Sequence, residues 1–403
     1  MPPATPNLFA GSFTQQEGLD DDAIAAAVRV MRSGRLHRYN VMDGEVAEAA
    51  ALEAEYAAYQ GARYCLACAS GGYAMTTALR AAGLRHDEPV LTNGFTLAPV
   101  PGAIVAAGGR PVLVEITDEL VIDFDDLLAK IGSSGARFLL LSNMRGHLAD
   151  MDALSALLRA RDVLLIEDCA HTMGAAWNGR RSGSFGLAGC FSTQTYKHMN
   201  SGEGGLLTSD DAALIARATL LSGSYMLYER HGAGPEAEAF DPVRLETPNM
   251  SGRMDNLRAA ILRPQLATLD RNIERWNERY RIIERCLGRT RRLRVPVRPP
   301  AERFVGSSIQ FLAPGCTPAE ATALVKDAKA HGVELKWFGA PEPVAFTSNH
   351  HSWRYVARQM LPQTDRVLSA LFDMRIPLTF SPADCEQIGE IIADCAQRRL
   401  HAA

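Results

Sequence analysis

From about residue 46, short apolar runs alternate with stretches whose hydrophobic residues recur at helical spacing. Before that, residues 22–34 (DAIAAAVRVMRSG) predict an amphipathic helix stopped by Gly34. VAEAAALEAEYAAYQG predicts a helix ending at Gly61, and RYCLACA a strand after it. A helix over roughly 73–83 ends at Gly83. PVLTN then reads as a strand, and TLAPVPGAIVAAGG as a helix with Pro99 in its first turn, where a missing N–H does no harm. RPVLVEI, ARFLLLSN and DVLLIED are further strands, separated by helices over 123–132 and 152–160. Short continuous strands rich in Val, Leu and Ile, each followed by a helix, predict a mostly parallel sheet covered on both faces. The core is therefore expected to be α/β.

The pattern changes after about residue 209. Leu and Ile recur at helical spacing over 254–288, where Pro264 is expected to kink the helix or mark its start. The proline-rich RVPVRPP follows. From about residue 303 a smaller α+β unit is expected, with SSIQFLAP and MRIPLTF as strands. The chain thus divides into an N-terminal segment (1–44), a large domain (45–260) and a small C-terminal domain (261–403).

Composition narrows the function classes. Of 403 residues, 47% are hydrophobic and 22% charged, which excludes wholesale disorder. A net charge of −4 gives no reason to expect nucleic acid or an anionic membrane as a partner. No apolar run approaches the roughly 20 residues that span a bilayer. The N-terminal sequence lacks a basic region followed by an apolar one, so a cytoplasmic protein is expected. Eight cysteines in this length are not the density of a disulfide scaffold. Cys65 and Cys68 have the spacing of half a zinc site, but they lie in an expected buried strand, and packing is the preferred reading. His350 and His351 beside Asn349 lack further spaced ligands, and no metal is expected. The basic run 289–294 is expected to be a solvated surface.

Three segments carry candidate chemistry. Ser70-Gly71-Gly72 sits at a strand-to-helix turn, where outward N–H groups make an anion site, although a tight turn alone also explains it. Asp168 follows the apolar strand VLLI, where α/β sheets place ligands; it reads equally as a helix cap. Lys197 lies between the polar run FSTQTY and the turn Gly202-Glu203-Gly204-Gly205, and by itself reads as a surface lysine. Together they supply what pyridoxal phosphate needs: an anion cradle, a carboxylate for the pyridine nitrogen, and a lysine for the aldehyde.

With these segments the sequence resembles the DegT/StrS family of fold type I pyridoxal-phosphate enzymes, best known as sugar aminotransferases. The likeness runs from about residue 40 to the C-terminus, through DEPVLTNGFTLAPVPGAIVAAGGRPVLVEI, EDCAHTMGA, FSTQTYKHMNSGEGG, NMSGRMDNLRAAILRPQLATLD and LPQTDRVLSALFDMRIPLTFSP. It implies a large domain with a seven-stranded type of sheet, a small α+β domain, and a homodimer whose active site lies at the interface. It also implies that Lys197 links to the cofactor and moves protons, and that Asp168 partners the pyridine nitrogen. Ser192 and the backbone of Gly71 and Gly72 would hold the phosphate. Several positions depart from the family pattern. Gly72 replaces a threonine, Leu97 an aromatic that stacks on the ring, and His171 a glutamine near the ring hydroxyl. Ser251 replaces the partner subunit's phosphate-binding asparagine, with Asn249 a possible substitute. Related 3-dehydratases carry histidine in place of the lysine. Counting back from Gly202–Gly205 aligns Lys197, not His198, with that position, and His198 is expected to be structural. Arg38 and Tyr39 are candidates to face the substrate. The implied function is amino transfer from glutamate or glutamine to a keto sugar or keto cyclitol in secondary-metabolite or glycan biosynthesis. The alternatives are non-transaminating chemistry on a non-sugar metabolite and a non-catalytic regulatory homologue.

Overall fold

The structure, a computed structural model, describes residues 8–42 and 44–400. Residues 1–7, part of the segment where no leader was expected, lie outside them. The strands are β1 (Tyr64–Cys68), β2 (Pro89–Asn93), β3 (Arg110–Val114), β4 (Phe138–Ser142), β5 (Leu164–Asp168), β6 (Ala176–Trp177), β7 (Arg180–Arg181), β8 (Ala188–Ser192), β9 (Gly205–Ser209), β10 (Glu302–Arg303), β11 (Ser308–Leu312), β12 (Lys336–Trp337) and β13 (Leu371–Arg375). A seven-stranded sheet runs β1-β9-β8-β5-β4-β2-β3. All its pairings are parallel except those of β9, which is antiparallel to both neighbours. Helices bury apolar residues on both faces, as the continuous Val/Leu/Ile runs require. Cys65 and Cys68 show this directly: three apart on β1, they point into the two different cores, so they cannot share a ligand.

The helix after the change of pattern spans Asn256–Leu287 and runs through Pro264. Its start is instead fixed by Asp255, whose carboxylate accepts the Arg258 N–H at 2.9 Å. A proline inside a helix costs about 3 kcal/mol. Burial of Leu262, Leu269, Ile273, Ile283 and Leu287 on this helix, at roughly 1.5–3 kcal/mol each, outweighs that. The first three pack under the large sheet. The last two pack in the C-terminal core, so one helix ties the two cores together.

The C-terminal unit is a small sheet in the order β11-β13-β12, flanked by helices Pro318–Ala330 and Pro382–Arg399. The strand expected over MRIPLTF instead ends at Arg375 and begins at Leu371. Ile376 still donates to Ser307 O at 2.9 Å, but Pro377 has no N–H to continue the ladder. Phe9 and Phe13 pack edge-on against Phe380, anchoring the N-terminal segment to this core. No helix among the described residues is long and apolar enough to cross a membrane.

Candidate active site

The parallel strands end together. Ser142 of β4 is in register with Asp168 of β5, and Ser192 of β8 with Gly205 of β9, next to the end of β1. At this carboxyl edge, where open α/β sheets bind ligands, lies a cavity of about 350 Å³. One end is the turn at the N-terminus of helix Gly71–Ala81, capped by Ser70, whose hydroxyl accepts the Tyr73 N–H at 3.0 Å. Gly71 is required by close approach, since a Cβ there would sit 2.9 Å from Ser192 Cβ. Gly205 is likewise required, because a Cβ would meet the Ser70 carbonyl carbon at 2.3 Å. The glycine-rich turn after Lys197 therefore packs β9 against the turn Ser70–Gly72.

Lys197 Nζ reaches into the same cavity and lies 2.9 Å from His171 Nε2. The Arg145 backbone N–H donates to His171 Nδ1 at 3.4 Å, so Nε2 carries the ring proton and donates it to the lysine amine. Burial and the nearby Arg145 guanidinium push Lys197 down to about 7, against the pull of Asp168. Burial also holds His171 well below the usual imidazole range, with Lys197 adding to it, so the ring stays neutral. Asp168 accepts from Ser142 Oγ at 2.9 Å and from the Ala170 N–H at 3.1 Å. Its burial pushes the carboxyl up, opposed by these donors and by Lys197.

Gly71, Gly72, Leu97, Asp168, His171, Ser192 and Lys197 all border this one cavity. Asn249 and Ser251 do not. Asn249 accepts the Tyr225 N–H at 2.8 Å, and Ser251 is exposed. Arg38 and Tyr39 do not face the cavity either, and that expectation is corrected. Arg38 is buried in a bidentate pair with Glu53, and the Tyr39 hydroxyl pairs with His231 Nδ1 at 3.1 Å. His198 is buried, paired with Ser307 Oγ at 3.0 Å and set edge-on to Trp276. Burial pushes it down to about 3, which suits a structural residue. His350 and His351 both place Nε2 on Asp365 Oδ1, at 2.7 and 2.8 Å, a carboxylate that spacing did not connect to them.

Sequence reasoning missed Arg145, Tyr196, Phe346 and Arg375, which complete the walls. Only Arg145 left a signal, three residues beyond the end of β4 at the same strand edge as Asp168.

This donor set fits pyridoxal phosphate. The turn at Gly71 and Gly72 packs against Ser192 too closely for a side chain at residue 71, a hydrogen-bonded buried carboxylate lies at the strand edge, and the lysine amine, pushed down to about 7, is neutral in a substantial fraction near neutral pH. Fold and site together define a fold type I pyridoxal-phosphate enzyme. Residues 18–393 match the DegT/DnrJ/EryC1/StrS aminotransferase family, and the chain belongs to it. Over 409 aligned positions it is 29% identical to 3-amino-5-hydroxybenzoate synthase of Amycolatopsis mediterranei, covering 96% of this chain and 98% of that one. A solved structure of 3-amino-5-hydroxybenzoic acid synthase superposes with a TM-score of 0.81 at 25% identity, covering 96% and 100% of the two chains. The chain is also 29% identical over 271 residues to a pleiotropic regulatory protein of Geobacillus stearothermophilus, covering 66% of each. To L-glutamine:2-deoxy-scyllo-inosose aminotransferase of Micromonospora echinospora it is 28% identical over 270 residues, 66% of this chain and 63% of that one. The match thus spans just under two thirds of each of these last two relatives.

Proposed function

We propose that this aminotransferase moves an amino group from glutamate or glutamine to the keto group of a nucleotide-linked sugar or a cyclitol in a biosynthetic pathway. The observation that carries the chemistry is Lys197 Nζ, buried 2.9 Å from a neutral histidine in a cavity shared with Asp168. The inosose aminotransferase relative supports the acceptor class and the glutamine donor. Pyridoxal phosphate, when bound, would supply the electron sink for amino transfer. Gly71, Gly72 and Ser192 would hold its phosphate, and Leu97 would offer its ring an apolar contact. Asp168, fixed by Ser142 and the Ala170 N–H, would keep the ring nitrogen protonated. Lys197 takes a proton at Nζ and returns it, a task suited to an amine near pKa 7 at neutral pH. His171 steers that amine through its Nε2–H.

Lys197→Ala is expected to abolish both borohydride-trappable cofactor and turnover; transamination at the wild-type rate would refute the assignment. A second reading, non-transaminating chemistry on a non-sugar metabolite, is favoured by a histidine rather than an amide beside Lys197 and by Leu97 on the ring. Glutamate or glutamine would then leave the cofactor's visible band unchanged.

The protein is read as a homodimer. Leu245, Met226 and Met250 are exposed in the same stretch as Asn249 and Ser251, which stay outside their own chain's cavity, and an exposed apolar patch of this kind supports a partner subunit there. Its eight free cysteines suit the reducing cytoplasm.

A further inference from the structure

Phe346 borders the cavity from an irregular strap, residues 340–353, that follows β12. The strap ends in the short turn His350–Ser352. Asn349 shapes that turn: its Oδ1 accepts the His351 N–H at 3.2 Å, and its Nδ2 donates to the Phe338 and Ala340 carbonyls at 3.1 and 3.4 Å. Trp353 closes the strap, packed with Leu113, Val356 and Leu361. Neighbouring residues on a helical turn normally project about 100–120° apart. Here the two imidazoles stand together instead, with ring centroids 4.0 Å apart, and both turn Nε2 to Asp365 Oδ1, at 2.7 and 2.8 Å.

Asp365 stands on a different element, the first turn of helix Pro362–Ser369. Glu115, just past β3, fixes that turn by accepting the Gln363 N–H at 3.1 Å and the Thr364 N–H at 2.6 Å. The carboxylate therefore has a rigid support. His350 is buried, whereas His351 is exposed and faces solvent, from which an ion and a water can enter.

We propose that His350 Nε2, His351 Nε2 and the Asp365 carboxylate form a site for a zinc-class divalent ion, which staples the strap to helix Pro362–Ser369 beside the cavity. Two imidazoles and one carboxylate are a donor set for such an ion, whereas magnesium and calcium take oxygen ligands. Three protein ligands leave the fourth tetrahedral position to water on the exposed side of His351. On binding, each ring carries its proton on Nδ1 and gives the Nε2 lone pair to the ion. Ligand atoms about 2.1 Å from a tetrahedral ion stand roughly 3.4 Å apart, so each Nε2 must withdraw about 0.6–0.7 Å from the oxygen. The exposed His351 ring and the partly exposed Asp365 carboxylate supply that movement.

Among the described residues one other group, Asp327, His331 and Cys395, brings three possible ligand atoms together. There Arg398 and Arg399 already occupy Asp327, at 3.3 and 3.0 Å, and their charges repel a cation. Asp365 pairs with histidines and, among the described residues, with no arginine or lysine.

The test uses tag-free holoenzyme stripped of metal by a chelator, then titrated with zinc chloride against a chromophoric zinc indicator. One ion per chain is expected, with magnesium unable to displace it. His351→Ala, at an exposed position, is expected to fold as wild type by circular dichroism. Its zinc affinity should fall at least about 10- to 100-fold, the loss that disturbing even a ligand's support brings. Asp365→Asn, which keeps the shape, is the second variant and should weaken zinc likewise. Cobalt(II) taken up in place of zinc should show the visible bands of a tetrahedral ion and lose them in both variants. Trypsin reads the staple: zinc should slow cleavage after the exposed Arg354 and Arg358 in wild type but not in His351→Ala. The proposal is overturned by no uptake in wild type, by affinity unchanged in either variant, by uptake abolished in His331→Ala, or by cleavage that zinc leaves unaltered. Zinc that shifts the cofactor's absorbance equally in wild type and His351→Ala marks binding at the cofactor and overturns it too. None of these readouts depends on amino transfer.

Discussion

Glu53 is fully buried, and both its oxygens are engaged. Arg38 donates to each at 2.7 Å, the Ala67 N–H to Oε1 at 2.7 Å, and His231 Nε2 lies 3.1 Å from Oε2. This network ties the N-terminal segment to the helix Glu48–Gln60 and to β1, next to the anion-binding turn. Glu53→Gln removes the negative charge but keeps the shape, leaving the Arg38 guanidinium buried without a counter-ion. Breaking a buried pair in this way costs about 3–5 kcal/mol. The carboxylate also makes a pH prediction. Burial alone would raise its pKa, but the Arg38 charge prevails and holds it down at about 2. An unfolded glutamate titrates near about 4.3. Because the folded value is the lower one, the stabilisation is fully present above about 4.3 and is lost as pH falls toward about 2. That gap between the folded and unfolded carboxyl is worth about 3 kcal/mol of stability at neutral pH. The assay is urea unfolding of wild type and Glu53→Gln at fixed protein concentration, at pH 7 and pH 3. The difference between them is expected to be several kcal/mol at pH 7 and to shrink at pH 3. A variant within about 1 kcal/mol of wild type at pH 7, or a difference that does not narrow in acid, would refute the reasoning.

Gly71→Ala places a Cβ 2.9 Å from Ser192 Cβ and 3.3 Å from the Phe191 carbonyl oxygen, so the cradle must open. At about 1–3 kcal/mol for such overpacking, pyridoxal phosphate affinity should drop roughly 5- to 150-fold in an absorbance titration, with the fold retained by circular dichroism. Lys197 in the cofactor-free protein titrates at about 7, and only its neutral amine attacks an aldehyde. The rate of cofactor capture should therefore rise through pH 7 and level off above it; a rise continuing to pH 10 in stopped-flow absorbance would show an ordinary lysine.

The legible parts were those in which one stretch of chain states its own physics. Apolar runs of five residues declared β1 to β5, and Gly34, Gly61, Asp168 and Lys197 stood at the ends of patterned segments. Pro264 does not mark the helix start, because a local rule about a missing N–H says nothing of the apolar residues buried on either side of it. Arg38 misled for a related reason: proximity in sequence to the large domain cannot reveal that Glu53 and His231, 15 and 193 residues away, enclose it.

The same limit explains why the arginines were invisible, and it bears on specificity. Arg145 lies on the turn Met144–Gly146 after β4 and Arg375 at the end of β13, and neither belongs to a periodic pattern. What joins them is Asp373, whose single carboxylate faces Arg145 and Lys336 while its neighbour Arg375 turns to Tyr196. Gly71, Asp168, Ser192 and Lys197, the residues proposed to hold the cofactor, all lie on or just beyond elements of the seven-stranded sheet and the helix that follows β1. The other walls of the cavity come from both parts of the fold, Arg145 after β4 and Arg375 at the end of β13. A small shift of the C-terminal sheet would therefore change the spacing of the two guanidiniums without disturbing the cofactor cradle, so substrate choice can vary in this fold while the chemistry at Lys197 stays fixed.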